Sequence, residues 1–597
     1  MRRRQKKVLS LVLCVAMMLS VMVVGAGAAF SDQSKIKNTE AVDACTALNI
    51  IGGYPDGSFK PEGNITRAEV TKMICVALNG GKNPAVSTNT TPTFSDVRNN
   101  ANAAWAEGYI ESCAAQGIVS GVGGGKFAPN GNVTGVQLAK MLLVSLGYKS
   151  ENEGFTGNAW ATKVNTVASA KGLYEGLETM DPSIAITRDN AARMVWNALQ
   201  AYEVEYKTSL IAGPDGKLAT QITVQDKVVG STNDKITLLR DKYDAWVNVG
   251  TLVSVDNKTI TISMSPTDQA GSDLIKVDAD GAYPNDAQVE FSKLDTDYSA
   301  LLGQKVKVIF KNGKTNDVIG VYATGDNNSY TVNASDVEND KGDIKFNDKT
   351  YKVELTSGAL KTYIDGQAAS VNNTVANLVA MNNTANVLTL IDTNDNDKID
   401  TVYVKTVTVE KVTYASSSQI VAGGKTYKYA DENIASGVKK DDWVVITKNN
   451  YNDNKDITIA EKKTGVAIQG TKGNTSNNYN YTEVRIDGTW YYVAAGKSLK
   501  DIKAGNTADV VVVNGVLFDA KKTSGTSAGM PDVLMVLAKG TGLDNNKIKF
   551  VLPDGTIKTE EFNGVANPAV GTVYAWEMDS SKYKLTALAD NTATDTD

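Results

Sequence analysis

Gly53-Tyr54-Pro55-Asp56-Gly57-Ser58-Phe59 is followed, seven residues on, by Thr66-Arg67-Ala68-Glu69. The first stretch is a tight turn, rich in the residues that turns favour. The second is a capping box: the Thr66 hydroxyl can accept from the amide three residues on, while Glu69 reaches back to the Thr66 amide. Helix formation after Thr66 is therefore predicted, with apolar residues at helical spacing. Thr66 and Glu69 need no further explanation. Arg67 does, because a cation in the first helical turn opposes the helix dipole. A planar guanidinium facing an anionic ligand supplies a reason.

The pattern recurs. Phe30-Ser31-Asp32 returns as Phe94-Ser95-Asp96, and a shift of 68 carries Cys45 onto Cys113. The same shift carries Gly53 onto Gly121, Gly57 onto Gly125, Phe59 onto Phe127, Pro61 onto Pro129, Thr66 onto Thr134 and Lys72-Met73 onto Lys140-Met141. A weaker third copy matches Trp105-Ala106 with Trp160-Ala161, and Thr66-Arg67 with Thr187-Arg188. Each copy reads as helix, loop, helix. Copy two keeps the box with Thr134 and Gln137 but has Gly135 where the arginine stood, and Val122-Gly123-Gly124 for Tyr54-Pro55-Asp56. In copy three Asn190 weakens the box, and Tyr174-Glu175-Gly176-Leu177 replaces the glycine-rich loop. Gly121 to Lys126 looks like a phosphate-binding loop, but Phe127 stands where Ser or Thr is required, and the repeat explains the glycines.

These motifs over residues 30–200 resemble the S-layer homology (SLH) repeat. The resemblance implies an all-α domain in which three repeats form a pseudo-threefold helical bundle. It implies that grooves between repeats bind a secondary cell-wall polysaccharide, often through an acidic pyruvylated sugar. It implies that Arg67 and Arg188 contact the anionic group, and that Asp32, Asp96, Trp105, Trp160, Gly53, Tyr54 and Glu69 shape the grooves. Trp105 and Trp160 fit either a sugar-stacking surface or the core. Since copy one keeps both loop and box, the groove using Arg67 is expected to be the best preserved.

The chain of 597 residues is too long for one core. Its first 29 residues read as a secretory signal peptide: Arg2, Arg3, Arg4, Lys6 and Lys7, an apolar run from Val8 to Val24, then Gly25-Ala26-Gly27-Ala28-Ala29. Cleavage there removes five basic residues and no acidic one, taking the net charge from −6 to −11. An exported acidic chain does not suit nucleic acid, and no membrane contact is expected after cleavage. Histidine is absent, which excludes an imidazole base, a Ser-His-Asp triad and a His-ligated metal. Cys45, Cys75 and Cys113 remain, enough for at most one bridge, and are read as three buried free thiols acting as small hydrophobes.

Beyond Tyr206 the pattern turns to β. Thr251-Leu252-Val253-Ser254-Val255, Thr259-Ile260-Thr261-Ile262 and Lys305 to Phe310 alternate, with Asn312-Gly313 as a hairpin signal. A degenerate unit recurs: Asp348-Lys349-Thr350-Tyr351, Gly424-Lys425-Thr426-Tyr427 and Gly488-Thr489-Trp490-Tyr491 open it. A glycine and a valine-rich strand close it, as at Gly437 before Trp443 to Ile446 and Gly505 before Val510 to Val513. The expected organisation is a signal peptide at 1–29, SLH repeats at 30–90, 91–153 and 154–205, and tandem small all-β modules, barrels or sandwiches, at 206–330, 331–410, 411–465, 466–525 and 526–597.

Two further motifs stand out. Gly525-Thr526-Ser527-Ala528-Gly529 matches a hydrolase nucleophile elbow but has no histidine to serve it. Asp392, Asn394, Asn396 and Asp400 place oxygens at calcium-loop spacing, although Asp397 replaces the required glycine and Tyr403 the terminal Glu. Either a calcium site or a solvated hairpin tip fits. The expected function is non-covalent wall anchoring of a structural, S-layer-like protein that self-associates into a lattice, with no catalysis and no required cofactor. A wall-anchored carbohydrate-active enzyme or an adhesin using the same anchor is the alternative.

Overall fold

Helix starts in the first third follow their caps. In a computed structural model, residues 30–588 are described except 85–90, 213–217, 231–233, 275–283, 285–286, 325–326, 475–479, 500–501, 524–532, 541–545, 553–555 and 580–581. The expected signal peptide and the Gly525–Gly529 motif lie outside the described residues. The main helices are α1 (Thr39–Ala47), α2 (Arg67–Leu78), α3 (Glu107–Ala115), α4 (Gly135–Ser145), α5 (Trp160–Ala170) and α6 (Arg188–Gln200). The capping box is complete at Thr66 and Thr134, whereas Thr187 accepts from the Asn190 amide without a reciprocal bond.

The three helix pairs are interleaved. Each second helix packs on the first helix of the next repeat: α2 on α3, α4 on α5, and α6 back on α1. The second helices also touch one another. A ring of backbone hydrogen bonds joins the residues before them: Ile65 donates to Ile186, Ile186 to Val133, and Val133 to Ile65. The first amides of each second helix are also spent across a seam. Arg67 and Ala68 donate to the Gly131 and Pro129 carbonyls, and Arg188 and Asp189 to those of Gly63 and Pro61. Gly135 and Val136 donate to those of Ile184 and Pro182. With the box bonds added, no amide of the α2 first turn is left over.

One apolar core runs through all three pairs, with Phe30 against Phe59 and Phe94 against Phe127, both at 5.3 Å between ring centres. Gly53 is where a Cβ would meet the Phe30 ring at 3.0 Å, and Gly121 repeats this against Phe94 at 2.8 Å. Packing therefore explains both glycines.

After α6 come a two-stranded hairpin, β1 (Val204–Ala212) and β2 (Leu218–Asp226), and then an antiparallel sheet. Its strands are β3 (Ala245–Asp256), β4 (Thr259–Met264), β5 (Ala287–Phe291), β6 (Lys305–Lys311) and β7 (Val318–Ala323), in the order β5-β4-β3-β6-β7. Ile309 and Tyr322 of this sheet enter the helical core, and β7 packs on α1. Helices and sheet form a single compact unit that ends at Asn327.

Two carboxylates of α1 sit at this junction in contrasting surroundings. Glu40 is met by Lys307, Arg193 and the Trp196 indole. Asp43 has only Gln33, whose amide donates at 3.4 Å, and burial pushes its pKa from 3.8 up to about 6. A carboxyl raised in the folded state binds its proton more tightly there. Its contribution is fully present below the unfolded value and is lost as pH rises through about 6. Asp43→Asn should therefore raise the stability of this unit at pH 7 by about 1–2 kcal/mol, after discounting for solvent relaxation, and by nothing at pH 3.5. Chemical denaturation at the two pH values checks this; a gain that is the same at both would be unrelated to ionisation.

The second unit begins at Asn328, and its described residues are all β apart from short helical turns. It contains five-, four- and six-stranded sheets, then two closed barrels. The barrels take strands Lys462–Asn474, Asn480–Ile486, Thr489–Val493, Val516–Lys522 and Thr507–Val513, and then Val533–Lys539, Lys547–Val551, Ile557–Asn563, Lys582–Ala587 and Val573–Asp579. Closure removes open sheet edges. A shared apolar patch of Ala385, Val409, Ala460, Val511, Val516 and Phe518 joins the first barrel to the sheets before it, and the Trp443 indole donates to Asp519 at 2.9 Å. The chain is thus multidomain, with its helices towards the N-terminus and sheets through the rest.

Candidate functional site

Because the helix pairs are interleaved, an arginine in the first turn of one repeat faces the loop of another. The Arg67 Nε donates to the Phe127 carbonyl at 2.9 Å and an Nη to that of Ser120 at 2.7 Å, with the guanidinium 4.4 Å from the Phe127 ring centre. Arg67 therefore sits on the degenerate loop of repeat 2, not on the intact loop of its own repeat. The intact loop is met by Arg188. One Arg188 Nη donates to the Gly52 carbonyl at 2.8 Å, and the guanidinium lies 4.8 and 5.0 Å from the Tyr54 and Phe59 ring centres. At the third seam Gly135 approaches Pro182 and Met180, and brings no charge.

The two arginines differ in their electrostatics. Glu69 accepts from the Thr66 amide and hydroxyl and from the Tyr54 hydroxyl at 2.7 Å, and its other neighbour is Arg188 at 3.8 Å. Burial raises the Glu69 pKa, but these donors and Arg188 outweigh it, so the carboxyl titrates below its ordinary value. Burial and the Glu69 bond hold the Tyr54 hydroxyl above its ordinary value. Arg188 is 9% exposed and its Nε has no partner. Arg67 makes no ion pair among the described residues: its partners are carbonyls and a ring, burial lowers its pKa, and Asp96 opposes that at longer range. A half-buried guanidinium whose charge meets no described carboxylate within ion-pair distance can seat an anion.

Asp32 and Asp96 brace the loops. Asp32 accepts from the Phe59 and Lys60 amides at 2.7 and 2.8 Å, and Asp96 from those of Phe127 and Ala128 at 2.8 and 2.9 Å. Burial opposes the charged forms, but the amides prevail and both carboxyls titrate below their ordinary range. Each aspartate positions the loop on which an arginine rests.

Trp105 is 48% exposed, which removes it from the core. Its indole donates to the Asn102 carbonyl, Tyr109 lies edge-on at 6.3 Å, and Lys72 stands 5.9 Å from both rings. Trp160 opens α5, is half-buried against the core, and has Lys140 at 5.6 Å. Lys72 and Lys140 share one place, six residues after the capping threonine, and burial lowers the Lys140 pKa. Their role beside the tryptophans was missed in the sequence, although the repeat alignment superposed them. Arg193 holds the same place in α6 and is spent on Glu40 and the Glu175 carbonyl.

The Asp392–Asp400 segment forms a hairpin tip that closes on itself. Asp392 accepts from the amides of Asn394, Asn396 and Asp397, Asp400 accepts from the Thr393 amide and hydroxyl, and the Asn396 side-chain amide donates to Glu354. Among the described residues no cluster of three or more acidic or thiol side chains could hold a metal ion. Nor is any described helix long and apolar enough to cross a membrane.

The S-layer homology domain family matches residues 29–71 and 93–139. The chain is 24% identical over 618 aligned positions to a cell surface protein of Thermoanaerobacter kivui, covering 96% of this chain and 70% of that one. It is 26% identical over 335 positions to a surface layer protein of Brevibacillus choshinensis, covering 54% of this chain and 27% of that one. A cellulosome-anchoring protein of Acetivibrio thermocellus is 32% identical over 160 positions, 25% of this chain and 35% of its own length. The chain thus spans about a quarter of the Brevibacillus relative and about two thirds of the Thermoanaerobacter one.

Proposed function

The chain is a secreted cell-surface protein carrying S-layer homology domains, and from that premise we propose that it is a structural surface protein held on the wall through the seams between three such repeats. The repeats at 30–90, 91–153 and 154–205 are read as one pseudo-threefold anchor. The interleaving of α1 to α6 and the closed Ile65–Val133–Ile186 ring support this. The ligand is an acidic sugar of a secondary wall polymer, pyruvylated sugars being one such group. Arg67 and Arg188 contact its anion, and Trp105 and Trp160 flank its rings. The 206–330 sheet is joined to the anchor helices, and the β modules at 331–410, 411–465, 466–525 and 526–597 present the outward array, through which copies associate into a lattice.

The observation that carries the reading is the Arg67 guanidinium, half-buried, held by the Ser120 and Phe127 carbonyls and unpaired with any carboxylate among the described residues. Holding a charge there costs desolvation that nothing within the fold returns as an ion pair. The test is co-sedimentation of the full chain with purified wall sacculi before and after the secondary polymer is stripped from the peptidoglycan. Binding should be saturable on intact walls, weaken as salt rises, and fall at least tenfold on stripped walls. Equal retention on stripped peptidoglycan would assign a different ligand.

A further inference from the structure

Three of the chain's cysteines lie in the helical core, and two of them face each other. Cys45 and Cys113 occupy equivalent places in the first helices of repeats 1 and 2. Each thiol points at the carbonyl five residues after a capping threonine: Cys113 at Thr71, 3.8 Å away, and Cys45 at Ala192, 4.0 Å away. What differs is the residue nine places after that threonine. In α6 it is Trp196 and in α4 it is Leu143, but in α2 it is Cys75. Cys75 lies one helical turn beyond Thr71, whose carbonyl the Cys113 thiol meets, so only the seam between repeats 1 and 2 brings two thiols to one place, where both stand free and buried.

We infer that Cys75 and Cys113 form a disulfide once the chain has left the cell, stapling α2 to α3 across the first seam. Exported proteins meet an oxidising environment, where a close thiol pair does not persist by default. The reaction balances with a disulfide oxidant of small-molecule or enzyme-bound type. The Cys75 thiolate attacks one sulfur of the oxidant, forming a mixed disulfide and expelling one thiolate. The Cys113 thiolate then attacks the Cys75 sulfur and expels the second. Two protein thiols become one disulfide, and the oxidant leaves as two thiols. At 2% and 0% exposure neither sulfur is accessible in the finished fold, so the exchange belongs to folding, before the seam closes. Cys45 has no thiol opposite it and stays reduced.

The staple lies between the features proposed to hold glycan. Arg67 and Lys72 are on α2, while Trp105 and Tyr109 open the segment that becomes α3. The inference rests on export alone and not on glycan binding, so the two readings fail separately.

The experiment is thiol mapping of the full chain recovered from the cell surface, alkylated in denaturant without reductant, digested and weighed. A Cys75–Cys113 peptide pair is expected, lighter by two hydrogens than the two thiol peptides, with Cys45 alkylated. Reductant should separate the pair and lower the Tm of the helical unit by about 5 °C. Cys75→Ser should abolish that reductant-dependent shift, and Cys45→Ser should leave it intact. Alkylation of both Cys75 and Cys113 in surface protein, unchanged after refolding with oxidised glutathione, would overturn the inference, as would a bridge that includes Cys45.

Discussion

Arg67→Ala is expected to weaken binding to intact wall sacculi by ten- to a hundredfold, about 1.4–2.8 kcal/mol. The magnitude follows from what the guanidinium keeps free. Its Nε and one Nη are anchored by carbonyls, which fix the plane of the fork at little cost to its charge. Arg188 is the weaker contributor on the same logic, because Glu69 at 3.8 Å already answers part of its charge. Arg188→Ala should thus cost more stability than binding, since it strips the Tyr54 and Phe59 rings and leaves Glu69 without its cation. Thr134→Ala is the control. It removes a helix cap worth about 1 kcal/mol at a seam that carries Gly135 instead of arginine, and should leave binding nearly unchanged. Arg67→Lys should fall between wild type and alanine, because it keeps the charge and loses the fork. The rival account makes Arg67 a strut between Ser120 and Phe127. A strut would lower Tm in Arg67→Ala while each folded molecule bound the wall as before, so melting and sedimentation measured on the same samples separate the two.

What could be read from the sequence was local or periodic. The capping boxes at Thr66 and Thr134, and the poorer one at Thr187, are decided within four residues, and the offset of 68 brought the repeat into view. The seams were not readable in the same way. Nothing local says that α2 packs on the first helix of the next repeat, so the intact loop of copy one was counted towards the groove using Arg67, whereas Arg188, 134 positions from Tyr54, is the arginine that meets it. Asp32 and Asp96 showed themselves through repetition, but their work as braces depends on amides 27 to 32 residues distant. Alternating valines in the β region announced strands. Closure into a barrel depends on which edges meet, which alternation does not encode, as in the parallel pairing of Thr489–Val493 with Val516–Lys522.

The largest stability effect is expected at Glu40, a residue that composition and periodicity leave unremarked. It is buried on α1, where Lys307 of β6 donates at 2.5 Å, the Trp196 indole at 2.9 Å, and Arg193 at 3.4 Å. Burial alone would raise its pKa, but Lys307, Trp196 and Arg193 outweigh it, and the carboxyl titrates below its ordinary value. Its stabilisation is therefore present above the unfolded value of about 4.5 and is lost as pH falls through the lower folded value, opposite in sign to Asp43 one turn along the same helix. Glu40→Ala should destabilise the helical unit by about 3–5 kcal/mol, because it leaves half-buried Lys307 with only the neutral Gln200 side chain to accept from it and the indole without an acceptor. The penalty comes from the abandoned cation rather than from any net gain in the pair. Glu40→Leu combined with Lys307→Met should accordingly recover most of the loss, while either single change should not. Hydrogen exchange of the α1 and α6 amides under mild denaturant reads the effect where it arises. A Glu40→Ala chain within 1 kcal/mol of wild type would mean that Lys307 escapes to water and that the sheet is not held to the helices through this carboxylate.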